Sequence, residues 1–277
     1  KGAHAILSQL TDRIDGKVLD KAGRQLKIVA NYAVGFDNID LKAAGSRGIV
    51  VTNTPGVLTE AVAEHTIALM LAVTRRIVEA DRFTRAKKYH GWAPDLFLSG
   101  TLVNKTLGIL GLGRIGKAVA MRCHLGFGMN ILYHDTKRDE IFEAEYRAHF
   151  ESADYILRHA DFISLHVPSL PSTRHLINAA ALKKMKKTAY LINTARGPVV
   201  DERALVQALR KKQIAGAGLD VFEFEPNLAP GLEKLPNVVL TPHIASGTTA
   251  CREEMSELAA KNIMAVLHGK KPLTPVM

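Results

Sequence analysis

The chain has 277 residues, 47% hydrophobic and 23% charged, an ordinary globular composition with length for one large domain or, more naturally, two. No apolar run reaches the roughly 18 residues of a membrane span; the longest candidate, Ile67 to Val73, is flanked by Glu64, His65, Arg75 and Arg76. The formal net charge of +10 is scattered, and its densest run, Lys183 to Lys187, reads as a solvated helix end, so anionic small molecules are expected rather than nucleic acid.

The opening stretch, Lys1 to Leu7, has no extended apolar core of a signal peptide. Cys123 and Cys251 sit in neither a Cys-x-x-Cys pair nor a zinc-spaced cluster. No metal and no disulfide is expected, and the cytoplasm is the simplest compartment. The first strand-like runs are Lys27 to Ala30 and Ile49 to Asn53, which read as part of a small unit. A long helix is expected from about Thr59, its N-cap, to Ala80, with Val62, Thr66, Leu69, Met70 and Val73 at helical spacing. His65 on that helix has Leu69 rather than a second ligand at i+4, so a packed histidine is favoured over a metal ligand. Residues 87–99 hold Gly91 and Pro94, but Trp92, Leu96, Phe97 and Leu98 are too apolar to leave in water. A structured connection is expected there.

Four short apolar runs then alternate with helical patterns: Thr106 to Leu110, Asn130 to His134, Phe162 to Val167 and Tyr190 to Asn193. Gly216 to Asp220 and Val238 to Thr241 follow. Continuous apolar strands separated by helices imply a parallel sheet covered on both faces, a doubly wound α/β fold of six strands.

The first of these strands runs into Gly111-Leu112-Gly113-Arg114-Ile115-Gly116, and a helical pattern follows. A G-x-G-x-x-G alone is weak; between a strand and a helix it is the dinucleotide fingerprint. Gly111 permits the tight turn, Gly113 lets a pyrophosphate approach, and Gly116 allows helix and strand to pack closely. The start of the helix, Arg114 and Ile115, offers N–H groups to phosphate. The second strand ends at Asp135, whose carboxylate suits ribose hydroxyls and repels a 2′-phosphate. NAD is therefore expected over NADP, although Lys137 and Arg138 are cations within reach.

Three further segments follow later strands: Asn193-Thr194-Ala195-Arg196-Gly197, Asp220 to Pro226, and Thr241-Pro242-His243 with Ala245 beyond. With Asn31-Tyr32-Ala33-Val34-Gly35-Phe36-Asp37 and the fingerprint, they make the chain resemble the D-isomer-specific 2-hydroxyacid dehydrogenases, most of all the glyoxylate, hydroxypyruvate or glycerate enzymes. The resemblance implies a Rossmann NAD domain, residues 55–246, inserted into a smaller flavodoxin-like α/β substrate domain. That domain would comprise residues 1–54, which read as truncated at their start, and a returning helix in 247–277. It leaves the sheet containing Lys27 to Ala30 expected to lack neighbours.

The resemblance places the catalytic Arg, Glu and His on Arg196, Glu225 and His243. It also implies that Val34 and Gly35 hold the substrate carboxylate through their N–H groups and that Asp220 accepts from the nicotinamide amide. Thr194, Ala195 and Ala245 would lie near that ring, and His166, Val167 and Pro168 would wall the adenine.

The chemistry supports these roles independently. Reducing a 2-keto acid to its D-2-hydroxy acid needs a cation for the carboxylate, a proton for the developing alkoxide, and a hydride. A planar guanidinium serves the first, and an imidazole oriented by a carboxylate serves the second. The chain is thus expected to be an NAD-dependent dehydrogenase of small 2-keto acids and a homodimer, with contacts at the long helix and Trp92. The second reading is an NAD(H)-sensing interaction protein like the corepressors that resemble this family.

Overall fold

The short apolar runs fold as parallel strands in the computed structural model of the protein, which describes residues 2–276. The chain divides into two compact units, one reaching to Ala61 and resuming at Ser246, the other spanning Val62–Ala245. The first break falls after Ala61, inside the first turn of a helix.

In the first unit, β1 (Ala5–Ser8), β2 (Ile28–Asn31) and β3 (Val50–Thr52) form a parallel sheet in that order. α1 (Gly16–Ala22), α2 (Leu41–Gly45) and the C-terminal helix Thr249–Leu267 accompany them. Leu19, Leu26, Val29, Ile39 and Val51 make its core. The strand β1 is a neighbour of β2 that the sequence reading did not pick out. β2 pairs with β1 on one side and β3 on the other and is buried along its whole length.

The second unit opens with a further correction. The helix expected to run from Thr59 to Ala80 is two helices, α3 (Thr59–Thr74) and α4 (Ile77–Arg85), and Thr59 is its first helical residue rather than its cap. Arg76 breaks it by turning left-handed, at φ 54°, with its guanidinium over the Phe97 ring and bonded to Glu79. Neither glycine nor proline marks this break; it carries one local partner, Glu79, and one distant in sequence, Phe97.

After α4 come β4 (Thr106–Leu110), α5 (Arg114–Phe127), β5 (Asn130–His134), α6 (Glu140–Tyr146) and β6 (His149–Phe150). α7 (Ala153–His159), β7 (Phe162–Leu165), α8 (Ala179–Lys184) and β8 (Tyr190–Asn193) follow. α9 (Glu202–Arg210), β9 (Gly216–Leu219) and β10 (Val238–Leu240) complete the unit. The strands form one parallel sheet, β10-β9-β8-β7-β4-β5-β6. It therefore has seven strands rather than six; β6, two residues long, is the added edge.

Two apolar layers, one on each face, sandwich this sheet. One gathers Ile156, Ile163, Leu182, Leu191 and Leu205, the other Met70, Leu107, Val119, Ile131 and Tyr133. Strand order reverses between β4 and β7, and ligands of such sheets bind beyond the strands' C-terminal ends at that point. Trp92 is 84% exposed in the single chain.

Candidate active site

At the strand order's switch point, β4 runs into the glycine turn. Gly111 has φ 98°, donates its N–H to the His134 carbonyl at 2.9 Å, and lies so near β7's end that a Cβ would stand 2.7 Å from the His166 carbonyl carbon. A Cβ on Gly116 would stand 2.2 Å from the Gly111 oxygen. A Cβ on Gly113 would meet nothing within 4 Å, and no side chain caps the first turn of α5, begun by Arg114 and Ile115. Open space before an uncapped helix N-terminus is what a pyrophosphate needs, so the residues present fit a dinucleotide.

Asp135 Oδ2 accepts the Leu112 N–H at 2.6 Å, and Oδ1 accepts that of Thr136 at 2.6 Å. Of the two neighbouring cations, Arg138 is engaged by Glu143, while Lys137 is exposed. His166 bonds Ser164 Oγ at 2.8 Å, and burial pushes its imidazole down to about 3, which keeps it neutral. Val167 packs on the core beneath, and Pro168 is exposed.

The turn after β8 projects Arg196. Asn193, buried, shapes it by accepting the Ala195 N–H at 3.1 Å and donating to the Arg196 carbonyl at 3.0 Å. The Thr194 hydroxyl meets that of Thr66 at 2.9 Å; Thr66 donates its own proton to the Val62 carbonyl, so Thr194 is the donor. In the loop after β9, Glu225 Oε1 accepts the Phe222 N–H at 3.0 Å, and Oε2 lies 3.0 Å from His243 Nδ1. Burial pushes the Glu225 carboxyl up, but the His243 and Phe222 bonds and the charges of His243 and Arg196 hold it below the usual range. His243 and Arg196 therefore both act on Glu225, beyond the C-terminal ends of the strands.

His243 itself stands at φ 55°, left-handed for a non-glycine residue, at a cost of order 1–3 kcal/mol. Asp220 supports that conformation. Its carbonyl accepts the His243 N–H at 2.8 Å, Oδ1 accepts that of Ile244 at 2.9 Å, and Oδ2 that of Ala245 at 2.8 Å. The Thr241 hydroxyl donates to Oδ1 at 2.6 Å. That hydroxyl has one proton, so His65, 2.9 Å away through Nε2, is the donor to it. His65 Nε2 also lies 3.4 Å from Oδ1; burial pushes the Asp220 carboxyl up, but this contact and the bonds from Thr241, Ile244 and Ala245 bring it below its ordinary value.

This geometry agrees with the relatives. Residues 67–245 match the model of the D-isomer specific 2-hydroxyacid dehydrogenase NAD binding domain. A glyoxylate reductase of Pyrococcus horikoshii is 52% identical over 280 residues, covering 100% of this chain and 83% of its own. One of Thermofilum pendens is 53% identical, covering 97% and 79%. The chain belongs to the D-isomer specific 2-hydroxyacid dehydrogenases.

Among solved structures, a Thermus thermophilus protein superposes on this dehydrogenase with a TM-score of 0.94 at 48% identity, covering 100% of this chain and 87% of the other. A Sinorhizobium meliloti NADPH-dependent glyoxylate/hydroxypyruvate reductase, complexed with NADP and malonate, gives 0.90 at 39%, covering 99% and 84%. The dehydrogenase is accordingly an oxidoreductase that uses a nicotinamide dinucleotide on 2-hydroxy acids.

Val34 and Gly35 lie in the first unit, in the loop after β2. The Ala33 carbonyl accepts the Thr54 N–H at 2.8 Å, and the Val34 carbonyl accepts Asn53 Nδ2 at 2.8 Å. A trans peptide sets each N–H opposite the preceding carbonyl, so these bonds turn the Val34 and Gly35 N–H groups to the loop's other side. Sequence reasoning did not single out Asn53, Asn193 or Glu202. Asn193 stands inside a segment that was noticed, and its place just past an apolar strand was the available signal. His65 is a packed histidine, as its spacing suggested, and its partners are Thr241 and Asp220.

Proposed function

We propose that this dehydrogenase reduces glyoxylate to the achiral glycolate, and with it hydroxypyruvate to its D-2-hydroxy acid, with NADH as the favoured cofactor. The observation that carries this reading is the Glu225–His243 pair, 3.0 Å apart, under the charge of Arg196. The glyoxylate reductases at about half identity support the choice of substrate.

Arg196 holds the substrate carboxylate with its planar fork. Nδ1 of His243 is committed to Glu225, so Nε2 is the nitrogen that delivers a proton to the carbonyl oxygen. Ionised Glu225 orients the ring by holding Nδ1. When bound, the reduced nicotinamide supplies the hydride that completes the carbonyl carbon. In the oxidative direction His243 takes the proton back. Asp135 supports NAD, because its carboxylate would repel a 2′-phosphate, and the neighbouring guanidinium, Arg138, is already engaged by Glu143.

A homodimer fits the same reading. α4 buries none of its residues within the chain, and Trp92, Leu98 and Ile77 are exposed nearby in sequence. A second copy would cover this apolar surface. Cys123 and Cys251 are both free and buried, which supports a reducing compartment such as the cytoplasm.

A panel of 2-keto acids assayed with NADH and NADPH in parallel tests the proposal. Fastest turnover is expected with glyoxylate or hydroxypyruvate and NADH. Tight NADH binding without loss of its absorbance on any 2-keto acid would instead point to a cofactor-sensing protein.

A further inference from the structure

Glu202, the first residue of α9, is an acid 1% exposed to solvent. Such burial is costly for a carboxylate unless its oxygens are matched. Oε1 accepts the Glu223 N–H at 2.6 Å and Oε2 the Ala229 N–H at 3.1 Å. Burial, joined by the nearby charges of Glu223 and Glu225, still pushes this carboxyl above its ordinary value against the pull of the two N–H groups. A favourable place near the helix dipole would ask for an acid in this turn but not for its burial.

The two N–H groups bracket Glu225 in sequence. Glu223 completes the clamp from the other side. Its Oε2 accepts the Glu202 N–H at 3.4 Å, while Oε1 lies 2.6 Å from His175 Nε2 and 3.3 Å from Arg174. The same loop is pressed on the Arg196 turn, where a Cβ on Gly197 would stand 1.8 Å from the Phe222 oxygen.

We propose that Glu202 is a positioning residue: its buried carboxylate pins the segment 223–229 at both ends so that Glu225 meets His243 Nδ1. The inference rests on reading Glu225 and His243 as the proton-delivering pair. Glu202 touches no reacting atom and acts only through Glu225.

Glu202→Gln keeps the side chain's size but leaves one acceptor oxygen for two N–H groups. In a double-mutant cycle with Glu225→Gln, Glu202→Gln alone should lower kcat by at least about tenfold, with the NADH Kd changed less than about twofold. Added to Glu225→Gln, it should lower kcat by less than about twofold, because the residue it positions is already disabled. An equal loss in both backgrounds, or none in the first, overturns the proposal. If Glu202→Gln does not fold, amide hydrogen exchange in the unaltered protein decides. The Glu223 and Ala229 amides should exchange at least about tenfold more slowly than that of Phe224; equal rates overturn it. Exchange is read without turnover, so slow exchange in a protein that reduces no 2-keto acid would count against the proposed reaction and leave the clamp standing.

Discussion

Oε2 of Glu225 lies 3.0 Å from Nδ1 of His243, and the left-handed backbone of His243 is what turns its ring to that carboxylate. The bond fixes which ring nitrogen is spent and which remains for a reactant. His243→Ala should therefore lower kcat for keto-acid reduction by about 10²–10⁴-fold, the usual contribution of a positioned acid–base group. Fluorescence titration should show NADH binding within a few-fold of the unaltered enzyme. A loss of cofactor affinity as large as the loss of turnover would assign His243 to binding instead.

Asp220 links acid stability to the same loop. Burial raises its carboxyl, and the bonds from His65, Thr241, Ile244 and Ala245 outweigh that and lower it. A group whose folded pKa is depressed adds stability that is present above its unfolded value, about 3.9, and is lost as pH falls through the folded value. Asp220→Asn should destabilise the protein by about 1–3 kcal/mol at pH 7, since an amide has a single oxygen to accept with and turns a donor toward the N–H groups the second oxygen served. The difference in Tm should shrink toward pH 3. An unchanged gap at both pH values would show that ionisation of Asp220 is not what stabilises the fold.

In the proposed reading, cofactor choice turns on Asp135. Removing its charge by Asp135→Ala should weaken NADH binding and strengthen NADPH binding, moving the preference ratio by about tenfold or more, equivalent to about 1.4 kcal/mol. The variant also loses the acceptor of the Leu112 N–H, so a small fall in Tm accompanies the change. Parallel titrations with both cofactors check this, and an unmoved ratio would place selectivity elsewhere.

Oligomerisation can be read at Trp92, the only tryptophan. Trp92→Glu should sediment as a monomer where the unaltered protein sediments as a dimer, because a charge at the centre of an apolar contact is left without water or partner. In the unaltered protein, dilution should shift the emission to the red as the indole is released to solvent. Sedimentation as a monomer before any substitution would refute the dimer.

Much of the second unit was legible because its signals are local. Strands at Thr106–Leu110, Asn130–His134 and Tyr190–Asn193 are continuous apolar runs, and the fingerprint is a turn whose glycines are dictated by contacts within about one βαβ unit. β1 and β6 were not legible. β6 is two residues with no period to detect, and β1 draws its pairing from β2, some 23 residues away in register.

Sequence by itself thus determined the doubly wound sheet and the glycine turn, and it singled out Arg196, Glu225 and His243 as candidates, since apolar periodicity and residue chemistry are properties of neighbouring positions. Tertiary structure alone decided how those groups are aimed: that Arg76 breaks the long helix against Phe97, that Asp220 props His243, and that Glu202 grips the loop carrying Glu225. Hydrogen bonds between residues some 20 positions apart have no periodicity to betray them, and they exist only once the sheet has brought its strand ends side by side.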